Sequence, residues 1–254
     1  MSQRYFIPKE QFQDHSVIIQ GEDARHIRKV MRMTDGETIT CCDNDGHAFL
    51  CKIRDLDEQK VIADILEEQP ANQELDINIT VVQGMPKSDK LEWVVQKGTE
   101  LGVNSFVPFT ADRSIVKWPA NKVDKKVSRL QKIAKESAEQ SHRVYIPEII
   151  EPWTLQDLIQ AISDYDSCVV AYEEEGKRGQ QTGLPSVLNN LESGQRLLIV
   201  IGPEGGLSKS EVDAFQSAGG VLCGLGSRIL RTETAPLFIL SAIAYQLELL
   251  SEVK

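Results

Sequence analysis

The 254-residue chain carries 28 Lys or Arg against 38 Asp or Glu, a formal net charge of -10 with a sequence pI near 5.0. Apolar residues make up 41% and charged residues 26%, which excludes a disordered or low-complexity chain and fits one large or two small globular domains. Five cysteines, an odd number with no CxxC pair, argue against a disulfide framework and a zinc site, and no apolar run approaches the roughly 18 residues of a membrane span. No metal, no membrane contact and a soluble, untargeted, cytoplasmic protein are the expectations.

In chain order, the first 70 residues show short alternating runs, SVIIQ, ETITCCD, HAFLCKIRDL and KVIADILEE, separated by the turn signals TDGE and DNDG. That texture predicts a small β-rich domain. Between the first two runs lies RHIRKVMR, which places Arg25, Arg28, Lys29 and Arg32 together with no acid among them. The acidic, Pro-containing stretch EEQPANQEL reads as a linker and predicts a boundary near residue 72, with domains over 1–72 and 73–254.

Beyond it, strands alternate with helices. INITVVQGM reads as a strand, and SDKLEWVVQKGTELG as a helix with Leu91, Val94, Val95, Gly98 and Leu101 on one face. VNSFVPFT is the next strand. It is followed by NKVDKKVSRLQKIAKESAEQ, where Val123, Val127, Leu130, Ile133 and Ser137 fall at helical spacing. The opposite face is rich in Lys and Arg: from Arg113 to Arg143 there are nine basic residues and three acids. A local basic cluster, rather than the overall pI, is the footprint that matters for a nucleic acid, although a solvated helix face has the same composition.

SCVVAYEEE, RLLIVIGPE and GGVLCGLGS complete a set of strands apolar throughout, the last two joined by the helix KSEVDAFQSA, and APLFILSAIAYQLELL closes the chain as a helix. Such strands imply an α/β fold with a mostly parallel sheet covered on both faces.

Two loops at strand ends are candidates for chemistry. In GPEGGLSKSEV, Ser208 and Glu211 form the S-x-x-E pattern of a capping box, so the Gly-rich turn lies between a buried strand and a helix start. Gly lets backbone N–H groups approach a ligand, and open α/β sheets bind ligands at the carboxyl ends of their strands. A tight turn without a ligand has the same sequence. In LGSRILRTETAP, Arg228 and Arg231 lead into Thr232 or Thr234 as a predicted N-cap, with Pro236 in the first turn. Arginines there suit an anionic or carbonyl-rich substrate, unless Arg228 simply pairs with Glu233. No G-x-x-x-x-G-K-[ST] is present, and GLGSRI has Ile229 where the third glycine of a dinucleotide fingerprint belongs.

Taken together, IGPEGGLSKSEV and LGSRILRTETAPLFILSAI, with HIRKVMRMTDG, KSDKLEWVVQKGTELGV and ESAEQSHRVYIPEI in order before them, resemble the RsmE family of 16S ribosomal RNA uridine-N3 methyltransferases in the SPOUT superfamily. The resemblance implies a PUA-like, RNA-binding β-barrel domain and a SPOUT domain with a deep trefoil knot that binds S-adenosylmethionine. It also implies a homodimer acting on 16S ribosomal RNA or the small ribosomal subunit. Ala171, Tyr172, Gly202, Glu204, Gly205, Gly206, Leu207, Leu225, Gly226, Ile229, Leu230 and Ala235 would surround the cofactor. Arg228, Arg231 and Glu233 would act at the reacting base, with Glu136 an alternative proton acceptor. Arg25, Arg28, Lys29, Arg32, Arg113 and Arg143 would hold RNA. A ribose 2'-O methyltransferase of the same fold and a non-enzymatic ribosome assembly factor remain open alternatives.

Overall fold

The computed structural model describes residues 3–70, 72–177 and 183–250. The chain forms two compact units, Met1–Glu74 with Ala138–Ile146, and Leu75–Ser137 with Pro147–Lys254.

In the first unit, β1 (Gln3–Phe6), β2 (Phe12–Gln13), β3 (Ser16–Gln20), β4 (Thr38–Cys42), β5 (Ala48–Leu56) and β6 (Lys60–Gln69) make one sheet in the order β1-β4-β5-β6-β3-β2. Its pairings are antiparallel except β1 with β4. Period-2 patterning turns Val17 and Ile19, Ile39 and Cys41, Cys51 and Ile53, and Val61 and Ala63 into one core. Register shifts in β5, between Leu50 and Cys51 and between Ile53 and Asp55, are the irregularities by which a strand bends a sheet. The short helix α1 (Gly21–Arg25) runs on into a π-helical turn, His26–Val30, that buries Ala24 and Ile27 against this core.

The return of Ala138–Ile146 to the first unit departs from a single cut near residue 72. Ala138 and Val144 pack with Phe6, Cys42 and Ala48. Arg143 is 2% exposed, and its Nε donates to Glu74 Oε2 at 3.0 Å. Glu74 Oε1 accepts from the Val144 N–H at 2.9 Å, and the Arg143 carbonyl accepts from Arg4 Nη1 at 2.9 Å. The assignment of Arg143 to RNA contact is therefore corrected: it is a buried, ion-paired residue, because a guanidinium leaving water needs a carboxylate partner.

In the second unit, β7 (Asn78–Gly84), β8 (Ser105–Phe109), β9 (Glu148–Ile149), β10 (Ser167–Ala171), β11 (Arg196–Ile201) and β12 (Val221–Cys223) form a sheet in the order β12-β10-β11-β7-β8-β9. Every pairing in it is parallel. The helices are α2 (Lys90–Glu100), α3 (Val123–Gln140), α4 (Leu155–Ala161), α5 (Glu173–Lys177), α6 (Gly183–Asn189), α7 (Lys209–Ser217) and α8 (Ala235–Ala244). Leu197 to Ile201 are buried without a break, as a strand covered on both faces requires. Phe109, Leu198, Val200, Leu207, Val212 and Phe215 belong to one core between sheet and helices. Among the described residues no helix is long and apolar enough to cross a membrane. β1, β2, β9, α1, α4, α5 and α6 were not legible as sequence patterns, being short or sited where apolar periodicity is weak.

Candidate functional site

Because β10, β11 and β12 are parallel neighbours, they end on one edge of the sheet, and their following loops converge there. These loops wall a cavity of about 1440 Å³. All twelve residues expected at a cofactor line it: Ala171 and Tyr172 after β10; Gly202 and Glu204 to Leu207 after β11; Leu225, Gly226, Ile229 and Leu230 after β12; and Ala235 at the start of α8. Arg113, Arg228, Arg231 and Lys90 line it as well. That volume exceeds the roughly 300–1,000 Å³ of a typical small-molecule site and leaves room for two reactants.

The 202–207 loop is held from within. Gly206, at φ +68 where a side chain would be strained, donates its N–H to the Pro203 carbonyl at 2.8 Å. The predicted capping box is present: Ser208 Oγ accepts from the Glu211 N–H, and Glu211 Oε2 accepts from the Ser208 N–H at 2.7 Å. Glu211, fully buried, also takes the Asp112 N–H on its other oxygen at 2.8 Å. The missing side chain of Gly84 matters too, since a Cβ there would lie 2.4 Å from the Pro203 nitrogen and prise the ends of β7 and β11 apart.

Among the described residues, the side-chain ties of the 224–234 loop lie at its C-terminal end. Thr232 Oγ1 donates to the Gly202 carbonyl at 2.6 Å and accepts from Gln83 Nε2 at 2.8 Å, tying this loop to the 202–207 loop and to β7. Thr232 therefore does not cap α8. The N-cap is Thr234, in αR conformation and without a side-chain cap bond, and Pro236 lies in the first turn as expected. Arg228 and Arg231 are exposed, and among the described residues neither guanidinium has a hydrogen-bond or ion-pair partner. Arg113 reaches across to the Gly205 carbonyl at 3.0 Å.

Sequence reading missed Lys90. Its Nζ lies 3.0 Å from Glu204 Oε1 and 3.2 Å from Glu233 Oε2, so one ammonium bridges both loops. Glu233 thus pairs with Lys90 rather than Arg228. The Glu204 bond, followed by that to Glu233, holds the Lys90 ammonium above its ordinary pKa. At Glu204, burial favours the protonated form. Hydrogen bonds from the Lys87 N–H, its own N–H and Lys90 outweigh it, and the carboxyl lies below its ordinary range. A lone lysine at a helix start carries no pattern that would have marked it.

The remaining basic candidates lie in the first unit. Arg25, Lys29 and Arg32 are exposed and Arg28 half-buried on and just after the turn from α1, beside the exposed apolar Val30 and Met31. Glu136 is exposed on α3 and is not among the cavity-lining residues.

Comparison with known proteins follows the same division. A family model for an RNA methyltransferase domain matches residues 73–244, and one for an RNA methyltransferase PUA domain matches residues 19–66. The chain is 48% identical over 251 residues to ribosomal RNA small subunit methyltransferase E of Bacillus subtilis, covering 98% of both chains. It is 30% identical to the protein of that name from Aquifex aeolicus, covering 92% of this chain and 96% of the relative. The structure of the Neisseria gonorrhoeae ribosomal RNA small subunit methyltransferase E bound to S-adenosyl methionine superposes with a TM-score of 0.84 at 26% identity, over 96% of this chain and 97% of that one. With a β-rich PUA-like unit, a parallel α/β unit and a cavity at its strand ends, the chain belongs to the RNA methyltransferase family that includes ribosomal RNA small subunit methyltransferase E.

Proposed function

We propose that this chain transfers a methyl group from S-adenosylmethionine to N3 of a specific uridine in 16S ribosomal RNA. The observation that carries this reading is the cavity built from the β10, β11 and β12 loops, with two arginines on its wall that have no partner among the described residues. It fits the cofactor: Gly206 and Gly226, at φ +68 and +91, have no atom within 4 Å of where a side chain would be, leaving backbone open to a ligand. When bound, the cofactor supplies an electrophilic methyl on its sulfonium. The chain's own task is to position uracil for in-line attack and to help N3 lose its proton. Arg228 and Arg231 would stabilise negative charge spreading onto O2 and O4. Glu233, held by Lys90, would accept the N3 proton, and the N–C bond forms at N3 as the methyl leaves sulfur.

On this reading the β-rich unit supplies RNA affinity through Arg25, Arg28, Lys29 and Arg32. The protein would act as a cytoplasmic homodimer. Five buried, unpaired cysteines suit a reducing compartment. Phe238, Tyr245 and Leu249, 41, 54 and 59% exposed, lie at helical spacing along α8 and the π-helical turn after it, an apolar stripe suited to a second copy. The bridge from Thr232 to Gly202 and Gln83 carries the 224–234 segment back across the strand ends, the path a trefoil knot would need.

The test is in vitro methylation of 16S RNA and of small subunits, followed by nucleoside digestion and mass spectrometry. 3-Methyluridine is the expected product. A 2'-O-methylated nucleoside would replace base by ribose chemistry, and absence of S-adenosylmethionine binding by calorimetry would make the chain an assembly factor.

A further inference from the structure

We infer that the exposed face of α3, with the segment leading to it from the cavity, is a second RNA-contacting surface that grips the phosphate backbone of the substrate beside the target base. This rests on the reading of the chain as an enzyme acting on RNA. From Arg113 to Lys135 the sequence holds eight Lys or Arg and a single acid, Asp124, inside a chain of net charge -10. Helical spacing sorts this stretch into two faces. Leu130, Ala134 and Ser137 are buried and Val127 half-buried on one, whereas Lys122, just before the helix, and Lys125, Arg129 and Lys132 follow at steps of three and four and are all exposed.

Like charges so spaced repel along a helix, and alternation with Glu would relieve them at no loss of helix propensity. Lys122 and Lys125, which have no ion-pair partner among the described residues, are thus better explained by an anionic partner than by solvation. The stripe is also joined to the cavity. Arg113 lines it and bonds the Gly205 carbonyl, and the chain then runs through Lys117 and Trp118 to α3, where Lys126 Nζ sits 5.0 Å over the Trp118 ring. Arg129 is fixed by Glu92 of α2 at 2.7 Å, which leaves Lys122 and Lys125 the better placed to exchange solvent for phosphate. Ten residues from Lys122 to Lys132 span about 15 Å at helical rise, roughly four phosphates along one strand.

Such contacts read no sequence, but they release counterions, so their signature is salt dependence. The experiment compares the full-length wild type, Lys122→Gln/Lys125→Gln and Lys122→Arg/Lys125→Arg on a 16S RNA fragment. It measures RNA binding and steady-state methylation from 0.05 to 0.3 M salt, values on the order of those over which such slopes are resolved. The Gln variant should flatten the log–log salt slope by roughly one to two units, weaken binding roughly ten- to hundredfold near 0.1 M salt and raise KM with kcat unchanged. The Arg variant should restore both. S-adenosylmethionine affinity, unchanged in all three, reports an intact fold. An unchanged slope and KM in the Gln variant would overturn the inference, as would a fall in kcat at saturating RNA. If the wild type binds the RNA but methylates nothing, the functional reading fails while the slope still decides whether α3 touches phosphate.

Discussion

The two loops that face each other across the cavity are built on opposite principles. The 202–207 loop is short, its turn is closed by its own backbone, and the helix after it is locked by a buried carboxylate that satisfies two N–H groups from different segments. The 224–234 loop is longer and is tied down at Thr232, and Ile229 at its middle is 75% exposed between two arginines that have no partner among the described residues. A cofactor read through backbone groups needs the first kind of loop, because donors that are already oriented lose little freedom on binding. A bulky substrate that must enter and leave needs the second. On the proposed reading the 202–207 turn would hold the cofactor in a preset geometry, the backbone at Leu225, Gly226 and Leu230 would complete that wall, and Arg228 and Arg231 would face the RNA base.

The sharpest way to break that comparison is to remove the lock on the rigid wall. Glu211→Ala strips the acceptor from two buried N–H groups and should destabilise the protein by about 3 kcal/mol, with a matching loss of S-adenosylmethionine affinity, read by denaturant unfolding and calorimetry. Near-native cofactor binding in that variant would show that the loop needs no lock. On the open wall, Arg231→Ala should leave stability and cofactor affinity in place and lower kcat at saturating RNA on the order of 10²-fold, as removing one donor to developing charge does. Rescue by added RNA would reassign Arg231 to affinity.

A smaller effect is expected where the walls are joined. The Glu204 carboxyl has a depressed pKa in the folded protein, so the stability it contributes is present above its ordinary value of about 4.5 and is lost as pH falls through the lower folded value. Acid unfolding of Glu204→Gln should consequently show a shallower pH dependence than the wild type below pH ~4.5; superimposable curves would mean that the Lys90 bridge does not couple the loops. The mildest is Ser208→Ala, which removes one side of a capping box and should cost ~1 kcal/mol of stability with little change in kcat.

The basic residues show how far a sequence carries such assignments. Arg143 and Arg113 both follow from composition as RNA contacts, and one is buried against Glu74 while the other lines the cavity. A truncated chain beginning at residue 73, the natural division from the linker alone, would leave Ala138 and Val144 without Phe6, Cys42 and Ala48, so a loss of RNA binding there would be confounded by exposed core. Charge replacements at Arg25, Lys29 and Arg32, all exposed, are the cleaner probe of the first unit.

What the sequence by itself determined is whatever short-range physics dictates. Apolar runs became the buried strands β7, β8, β10 and β11, 3.6-residue spacing became α2 and α3, and Ser208 with Glu211 became the capping box that starts α7, because period and cap chemistry act within a few residues. The twelve residues expected at the cofactor were legible because loops after parallel strands fall on one edge, and the resemblance named them. Tertiary structure alone decided the pairings across long separations: Arg143 with Glu74, Thr232 with Gln83 and Gly202, and Lys90 with two glutamates more than 110 positions away. A buried polar group takes whichever partner the fold brings within hydrogen-bonding distance, and no local pattern records which one that is.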